Sequence, residues 1–376
     1  MRPTAGYFQK VQTHMTGFHQ RIFLVTLALL LAAGGWFSSP RLLAQRTSEN
    51  TPLLKRGLQQ YPQADTNHDG VLTEAEAREF LGRRRKAKSP AAPGKYEIAP
   101  THAEVKYGPY PRNVLDLWLA KRADGKPTPL AVFIHGGGFS AGDKSKVSMG
   151  TVQQLLGAGI SVAAINYRLI DSGPFPLPML DGARAIQFLR YHADEYHLRK
   201  DRVACFGGSA GGCMSMWLAF HDDLADPKNP DPVLRESTRL TCAAPTAGQS
   251  SVELKTLLEW FHCDKLQEHP STRGFFGVDS LEDLEKPQKI ALMKEASPIT
   301  HLTADDPPIY ATYGQADTPV DETTPPGVWV HHPRLGIKLK EAMDRQHLEC
   351  HLQYPGGPPP SAYKNAVEFM IEKLNQ

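Results

Sequence analysis

The sequence carries little net charge and lacks the broad basic surface that nucleic-acid-binding proteins use. Its 376 residues sum to a formal charge of +2 at pH 7. One short basic run, RRRKAK at 83–88, stands out. We interpret it as the solvated end of a helix that enters a linker. Nucleic acid is therefore not an expected partner.

Closely spaced cysteine pairs are also missing. The cysteines are scattered and form no C-x-x-C pair, so no zinc or redox motif is expected. They are Cys205, Cys213, Cys242, Cys263 and Cys350. The first two lie in apolar segments and are expected to be buried thiols. One disulfide among the other three remains open for an exported protein, and the sequence does not assign it.

The longest apolar run is too short to span a bilayer comfortably. The run IFLVTLALLLAAGGWF, Ile22 to Phe37, follows Lys10 and Arg21, whereas a spanning helix needs about 20 residues. It is followed by RLLAQ, where cleavage after Ala44 would suit a signal peptidase. Residues 1–44 are therefore predicted to be a signal peptide of an exported protein that keeps no membrane span after processing. An uncleaved anchor is the alternative.

A calcium-loop pattern follows at residues 65–76. The segment DTNHDGVLTEAE matches D-x-[DN]-x-[DN]-G-x5-E in full, with oxygen-bearing side chains at alternate positions as a hard cation requires. The predicted ligands are the side chains of Asp65, Asn67, Asp69 and Glu76 and the carbonyl of Val71. With flanking helices, residues 50–87 would form an EF-hand-like segment that binds calcium. The alternative is a degenerate loop, because a single motif lacks the second loop that usually stabilises it.

Beyond a Pro- and Ala-rich linker at 88–100, the pattern changes to alternating strands and helices. A hairpin-like pair at 103–108 and 113–120 comes first, and the continuous apolar segments 129–135 and 160–168 read as buried strands. Strands that alternate with helices imply right-handed crossovers and a mostly parallel sheet covered by helices on both faces. Residues 101–376 are therefore predicted to form an α/β domain.

The most specific motif in this domain is FGGSAGG at 206–212. It contains G-x-S-x-G, and it lies between the apolar segment 202–206 and the helical segment 213–220. A serine on such a strand-to-helix turn is the nucleophile elbow, in which the hydroxyl is raised above the sheet. Ser209 is therefore predicted to be a nucleophile.

A second glycine motif, IHGGGF at 134–139, ends an earlier strand. Attack by a serine on an ester leaves negative charge on the carbonyl oxygen, and backbone amides near that oxygen lower the barrier. Together HGGGF and GGSAGG resemble the α/β-hydrolase fold in its hormone-sensitive-lipase-like esterase branch, from about Lys95 onward. The resemblance implies that the oxyanion donors are the amides of Gly137, Gly138 and Ala210. A glycine-rich loop without a role is the alternative.

The same resemblance implies a helical cap insertion over an acyl pocket, here within residues 252–300. Four aromatic residues are candidates for its wall or for packing between cap and core: Trp260, Phe261, Phe275 and Phe276. It further implies hydrolysis of short-chain carboxylic or acetyl esters through an acyl-enzyme, without a cofactor in the chemistry. Expected substrates are small esters or acylated carbohydrates.

The catalytic acid and base are harder to assign. Asp317 stands in GQADTPV, which is similar to the family's turn that carries the triad carboxylate. The family places its histidine after the last strand, yet the corresponding loop, 356–365, contains none. His332 is the first candidate and His331 the second, because both follow Asp317 closely. For His332 the alternative is a helix cap before Pro333. For the function of the whole protein, the alternative is a hydrolase-like binding protein that lacks a catalytic base.

Overall fold

Two compact units make up the chain, residues 1–91 and 92–376, and each is described by itself. The computed structural model describes residues 47–49, 54–55, 58–59, 64–67, 69–73, 75–77, 96–359 and 362–376. The unit boundary falls within the predicted linker at 88–100. The predicted signal peptide, residues 1–44, and the basic run at 83–88 lie outside the described residues.

An eight-stranded sheet forms the centre of the second unit. Its strands are β1 (His102–Lys106), β2 (Val114–Trp118), β3 (Thr128–Ile134), β4 (Ser161–Ile165), β5 (Leu198–Gly208), β6 (Cys242–Thr246), β7 (Ile309–Thr312) and β8 (Cys350–Gln353). Their spatial order is β1-β2-β4-β3-β5-β6-β7-β8. Strands β3 to β8 pair in parallel, while β2 is antiparallel to both β1 and β4. The predicted mostly parallel α/β fold is confirmed.

Strands β3 and β4 are buried over nearly their whole length because helices cover both faces of the sheet. Every residue of β4 is buried, and β3 is buried at all positions except Phe133. A strand exposed on one face would instead alternate apolar and polar residues. This is why the segments around 129–135 and 160–168 could be recognised as strands without alternation.

Ten helices lie among the described residues of the second unit. They are α1 (Met149–Gly157), α2 (Leu177–Tyr191), α3 (Ala193–Tyr196), α4 (Ala210–Phe220), α5 (Leu254–Phe261), α6 (Thr272–Phe276), α7 (Pro287–Ala296), α8 (Pro326–Trp329), α9 (Arg334–Arg345) and α10 (Ala366–Asn375). Within the described ranges, none of the helices combines the length and apolarity that a bilayer crossing requires.

The helices cover the sheet in two layers. Helices α1 and α10 contribute Val152 and Phe369 to one cluster with Ala131 of β3 and Phe206 of β5. Helix α4 contacts β5 and β6 but adds no residue to that cluster, so it lies on the opposite face. Because successive strand residues point to opposite faces, each layer receives its own set of side chains.

A helical insertion separates β6 from β7, as expected. This cap segment, residues 254–301, contains α5, α6, α7 and two short 3-10 turns. Helices α5 and α6 both end at residues with left-handed backbone, His262 and Gly277. Such residues turn the chain sharply after a helix, which keeps the segment folded back on itself.

All five cysteines lie in the described part of the second unit, and all are free thiols. Cys205 and Cys213 are completely buried, as expected. Burial raises the pKa of each of these two thiols to about 12. They therefore pack as small neutral groups.

Helix α9 approaches the sheet at a glycine, and this contact gives a test of the packing. A Cβ atom on Gly336 would lie 2.3 Å from Cε2 of Tyr313 and 2.7 Å from Cδ1 of Leu352. We expect Gly336→Ala to lower the free energy of unfolding by about 1–3 kcal/mol, because overpacking forces buried side chains apart. Thermal or urea unfolding of the purified chain measures this.

Gly157→Ala is the matched control, since Gly157 is also helical and a Cβ atom on it would have no other atom within 4 Å. It should leave stability unchanged or raise it by up to about 1 kcal/mol through helix propensity. Equal stability of the two variants would contradict the close packing of α9 on β8.

Candidate active site

The elbow holds Ser209 in a backbone conformation that few non-glycine residues adopt. Its φ is 54° and its ψ is −120°, and its amide donates to the carbonyl of Thr246 at 2.8 Å. The turn needs glycine on either side: a Cβ on Gly207 or Gly211 would lie 2.1 or 2.0 Å from the carbonyl oxygen of Ile134. The strained turn therefore raises the serine between β5 and α4.

The HGGGF loop lies against this elbow. A Cβ on Gly136 would lie 2.6 Å from the carbonyl oxygen of Gly208, so the two backbones nearly touch. Gly137 and Gly138 have φ of +114° and +58°, a region open mainly to glycine. Within residues 96–359, the amides of Gly137, Gly138 and Ala210 donate no hydrogen bond to protein atoms. They remain available to a ligand oxygen.

His135 supports the loop and stays neutral. It is 1% exposed, and burial lowers its pKa to about 4. Its Nδ1 lies 2.8 Å from the carbonyl of Gly136 and must donate, while its Nε2 accepts from Nη2 of Arg112 at 3.2 Å. Its ring stacks on Tyr167, with centroids 4.3 Å apart. The histidine of HGGGF is thus fixed in one tautomer and orientation.

His331 is the imidazole that reaches the serine. Its Nε2 lies 2.8 Å from Oγ of Ser209. Its Nδ1 lies 2.9 Å from the carbonyl oxygen of Gly327 in α8. Because a carbonyl can only accept, Nδ1 carries the proton and Nε2 is left to accept from the serine hydroxyl. This is the geometry of a nucleophile beside its general base.

His332 points elsewhere, which corrects the expectation that it is the first candidate for the base. Its Nε2 donates to the carbonyl of Thr318 at 2.9 Å, and its Nδ1 accepts from the amide of Arg334 at 3.1 Å. The side chain is fully buried. His332 therefore caps the start of α9, which is the alternative that the following proline favours.

Asp317 binds an arginine and not the imidazole at the serine. Its two oxygens accept from Nε and Nη2 of Arg334 at 3.0 and 2.9 Å. One of them also lies 3.8 Å from Nδ1 of His332. In this arrangement the carboxylate fixes the first turn of α9, while the proton on His331 is held by a backbone carbonyl.

An apolar pocket opens beside Ser209. Its volume is about 900 Å³ when the open solvent space at its mouth is counted, and its lining comes from the elbow, the HGGGF loop, the cap segment and α8. Of the four candidate wall aromatics, Phe275 and Phe276 line it. Trp260 and Phe261 are not among the lining residues, and Phe261 instead packs edge-on against His332, with ring centroids 5.4 Å apart.

Two polar residues at the site lie outside the sequence motifs described above. His269 of the cap segment lines the pocket and accepts from the amide of Ser271 at 3.2 Å. Arg112 precedes β2, and it donates to the carbonyls of Tyr167 and Gly142 as well as to His135. Only tertiary folding brings Arg112 to the glycine loop, so its position in the sequence gives no signal of this contact.

The loop at 65–76 in the first unit forms a second candidate site. Gly70 has φ of +81° at the sharp turn, and its amide donates to Oδ2 of Asp65 at 2.9 Å. Asp65 is 5% exposed, and its Oδ1 is buried without a hydrogen-bond partner among the described residues. A buried carboxylate oxygen without a partner is costly unless a cation binds it. The side chains of Asn67 and Asp69 contact each other at 2.9 Å beside it.

Glu76, the last predicted ligand, already turns toward the loop. Its Oε2 accepts from the amide of Thr73 at 3.0 Å, and its own amide donates to the Thr73 hydroxyl at 3.2 Å, which is a capping box. Its Oε1 accepts from the amide of Thr66 at 3.2 Å across the loop. These bonds, the one from Thr73 foremost, lower the pKa of Glu76 to about 2. The carboxylate is therefore ionised, as calcium requires.

Comparison with known proteins covers the core of the site. The BD-FAE family model matches residues 115–325, more than half of the chain. The matched region contains Ser209 and Asp317, and it ends before His331. His331 thus lies outside the matched segment.

Similar proteins include esterases from bacteria and plants. "Probable carboxylic ester hydrolase LipM" of Mycobacterium tuberculosis is 30% identical over 223 residues, 57% of this chain and 48% of that protein. "Probable isoprenylcysteine alpha-carbonyl methylesterase ICMEL1" of Arabidopsis thaliana is 28% identical over 253 residues, 67% of this chain and 52% of that protein. The chain therefore spans about half the length of the curated relatives it matches.

Among solved structures, one similar chain is described as "Truncated form of carbohydrate esterase from gut microbiota". It superposes with a TM-score of 0.57 at 20% identity, over 76% of this chain and 99% of that chain. At this identity the likeness shows the common fold.

Proposed function

Because the chain belongs to the BD-FAE family, we propose that it is a serine esterase that cleaves short-chain carboxylic or acetyl esters through an acyl-enzyme. The observation that carries this proposal is the 2.8 Å contact between Oγ of Ser209 and Nε2 of His331. The relatives named as a carboxylic ester hydrolase and a methylesterase support the same class of reaction.

The first half of the reaction acylates the serine. Ser209 attacks the ester carbonyl while Nε2 of His331 takes the hydroxyl proton. The carbonyl oxygen becomes an oxyanion, and the amides of Gly137, Gly138 and Ala210 donate to it. Each such donor is worth roughly 2.7–4 kcal/mol of barrier in a known serine hydrolase. His331 then returns the proton to the departing alcohol.

The second half releases the acid. Water takes the place of the alcohol and attacks the acyl carbonyl through the same oxyanion site while His331 removes its proton. The bond between the acyl carbon and Oγ of Ser209 then breaks, the acid leaves, and His331 returns the proton to Oγ. Throughout, the carbonyl of Gly327 holds the proton on Nδ1 and keeps the imidazole in the productive tautomer. A neutral carbonyl stabilises the imidazolium less than a carboxylate would. We therefore propose a serine–histidine pair, with Asp317 acting at a distance by holding α9.

The pocket is suited to the acyl part of the substrate. Its walls near Ser209 are apolar, with Phe275 and Phe276 from the cap segment and Leu257 from α5. Burial of a small acyl chain against such walls stabilises the complex by about 0.8 kcal/mol per methylene. We propose small esters or acylated carbohydrates as substrates, and no cofactor takes part in the chemistry.

A hydrolase-like binding protein without a base is the competing function. It would be expected if no imidazole reached the serine. The contact from His331 removes the main reason for that alternative. The strained φ of 54° at Ser209 also favours catalysis, since such strain is kept mainly at functional residues.

We further propose that the loop at 65–76 binds calcium. The donors would be the side chains of Asp65, Asn67, Asp69 and Glu76 and the carbonyl of Val71, a set of oxygens that suits this ion. The buried Oδ1 of Asp65, which has no hydrogen-bond partner in the described part of the loop, supports the proposal most directly. The amide of Ser48 donates to the carbonyl of Leu72 at 2.8 Å, which gives the loop one backbone partner within the same unit.

Export is the remaining proposal. The apolar run from Ile22 to Phe37 and the small residue Ala44 suit a cleaved signal peptide. The mature chain would then begin near Gln45, which N-terminal sequencing of protein recovered outside the cytoplasm would check. Recovery of the intact apolar run in the membrane fraction would favour an anchor instead.

The esterase proposal predicts unequal effects of three substitutions. Ser209→Ala and His331→Ala should each lower kcat for p-nitrophenyl acetate by about 10⁴-fold or more, because the nucleophile and its base act together. Asp317→Asn should lower kcat by less than about tenfold, whereas loss of a triad carboxylate costs about 10⁴. Steady-state kinetics with matched melting temperatures measures these effects.

His332→Asn is the neighbouring control. Asparagine can accept from the Arg334 amide as a helix cap, so this variant should fold and keep most of the activity. A fluorophosphonate probe should label the wild type at Ser209 and should not label Ser209→Ala. A folded wild-type chain with no turnover and no label would overturn the proposal, and an inactive Asp317→Asn would restore the carboxylate to the triad.

The calcium proposal predicts one site per chain. Calorimetry on the full chain should detect binding at millimolar calcium or below, and Glu76→Gln should abolish it by removing the closing carboxylate. Glu49→Gln, an exposed change outside the loop, should bind as the wild type does. No binding to the wild type, or equal binding to Glu76→Gln, would refute the site. Ester turnover should not depend on calcium.

A further inference from the structure

Three side chains that ester hydrolysis does not use meet at the C-terminal end of α4, the nucleophile helix that follows Ser209. His221 directly follows α4, Glu295 lies near the end of α7, and His301 ends the 3-10 turn after α7. One ligand atom from each of the three lies within 4.8 Å of the others. His221 and Glu295 are 8% and 9% exposed, and His301 is partly exposed.

The proton on His221 is fixed away from the cluster. Its Nδ1 lies 2.8 Å from the carbonyl oxygen of Asp222, so this nitrogen donates. A backbone carbonyl on the outer nitrogen is the usual second partner of a metal-ligating histidine. The Nε2 atom then faces Oε1 of Glu295 at 3.3 Å. When His221 is neutral, its Nε2 and Oε1 of Glu295 are both hydrogen-bond acceptors. Two acceptors approach this closely only when a cation or a second proton lies between them.

His301 supplies the third donor. Its Nε2 lies 4.0 Å from Oε1 of Glu295 and 2.8 Å from the backbone carbonyl of the same residue. Coordination through Nε2 moves the ring proton to Nδ1 and replaces the bond to the carbonyl.

The spacing suits a small divalent ion. Zinc binds imidazole nitrogen at about 2.0–2.1 Å and carboxylate oxygen at about 2.0–2.2 Å, so tetrahedral ligand atoms lie about 3.3 Å apart. The pair from His221 and Glu295 already has this separation. Only the imidazole of His301 has to move closer. Its partly exposed side leaves room for a water as the fourth ligand.

Aromatic packing closes the site on the inner side. Trp217 donates from Nε1 to the carbonyl of Glu295 at 3.0 Å, and its ring centroid lies 4.2 Å from that of His221. An apolar wall of this kind limits water access and strengthens the attraction between a cation and a carboxylate.

We propose that His221, Glu295 and His301 form a binding site for a divalent transition metal ion of the zinc type. The nitrogen-rich donor set distinguishes it from the all-oxygen loop at 65–76, which suits calcium. The ion would join the end of the nucleophile helix α4 to the last helix of the cap segment.

The site is structural and not catalytic. Ser209 and His221 lie at opposite ends of α4, about 18 Å apart at 1.5 Å per residue. The cluster is therefore too far from Ser209 to touch the reacting atoms of an ester. A metal here would stabilise the native chain, because an ion that binds only the folded state shifts unfolding to higher temperature.

The test uses the full chain without an affinity tag, after treatment with a chelator. Titration with Zn²⁺ should show one equivalent bound and should raise the Tm by several degrees. Titration with Co²⁺ should produce the visible absorption of a four-coordinate nitrogen and oxygen site. The variants His301→Ala and Glu295→Gln should weaken Zn²⁺ binding at least tenfold and abolish the Tm shift, while the turnover of metal-free protein stays within about twofold.

Two controls separate this site from other binding. His192→Ala alters an exposed pair in which Nδ1 lies 2.7 Å from Oε2 of Glu195, and it should leave Zn²⁺ binding unchanged. Glu76→Gln should do the same. Absence of saturable Zn²⁺ or Co²⁺ binding in the wild type would show that the cluster is a hydrogen-bonded ion pair. Wild-type affinity in His301→Ala would exclude the proposal even if Glu295→Gln failed to fold.

Discussion

The carbonyl oxygen of Ile134 is the contact on which the geometry around the serine depends. It ends β3 and faces Gly207 and Gly211 so closely that a methyl group on either would lie about 2 Å away. This approach fixes where β5 ends, where α4 begins and how Ser209 turns. Because the HGGGF loop continues from the same strand, its amides are fixed relative to the serine by one backbone contact. Side-chain packing alone could not hold them so closely.

Two adjacent histidines have different roles because their side chains point in different directions. Both lie in the short turn between α8 and α9. His331 faces the elbow, while His332 faces the core and caps α9. The buried His332 stabilises the start of α9, and this fixes the orientation of the half-buried His331. Loss of His332 would thus act on the site through α9 and not through a contact with the serine.

The carboxylate of Asp317 also holds the start of α9. Asp317 binds Arg334 through two hydrogen bonds, and Arg334 is the first residue of α9. Near the surface such an ion pair contributes about 1 kcal/mol or less to stability, so its main effect is on position. The proton on His331 depends on the Gly327 carbonyl instead. The imidazole beside the serine therefore comes from the turn between α8 and α9, and the loop after β8 contributes no histidine.

The order of strands and helices follows from the sequence because it rests on local patterns. Continuous apolar runs mark the buried strands, and the glycines of the two motifs report positions where a side chain has no room. Ser209 and the amides of Gly137, Gly138 and Ala210 could be named for that reason. The calcium pattern at 65–76 is equally local, since all its donors lie within one short loop.

The partners of side chains far apart in the sequence were decided by the tertiary structure. Ser209 and His331 are 122 residues apart, and the choice between His331 and His332 depends on the rotation of one turn before α9. Asp317 fits the sequence pattern of a triad acid, but the fold places Arg334 beside it. His221 and Glu295 meet across 74 residues. Residue spacing predicts contacts within a helix or a loop, but only the packing of complete elements brings such distant donors to one place.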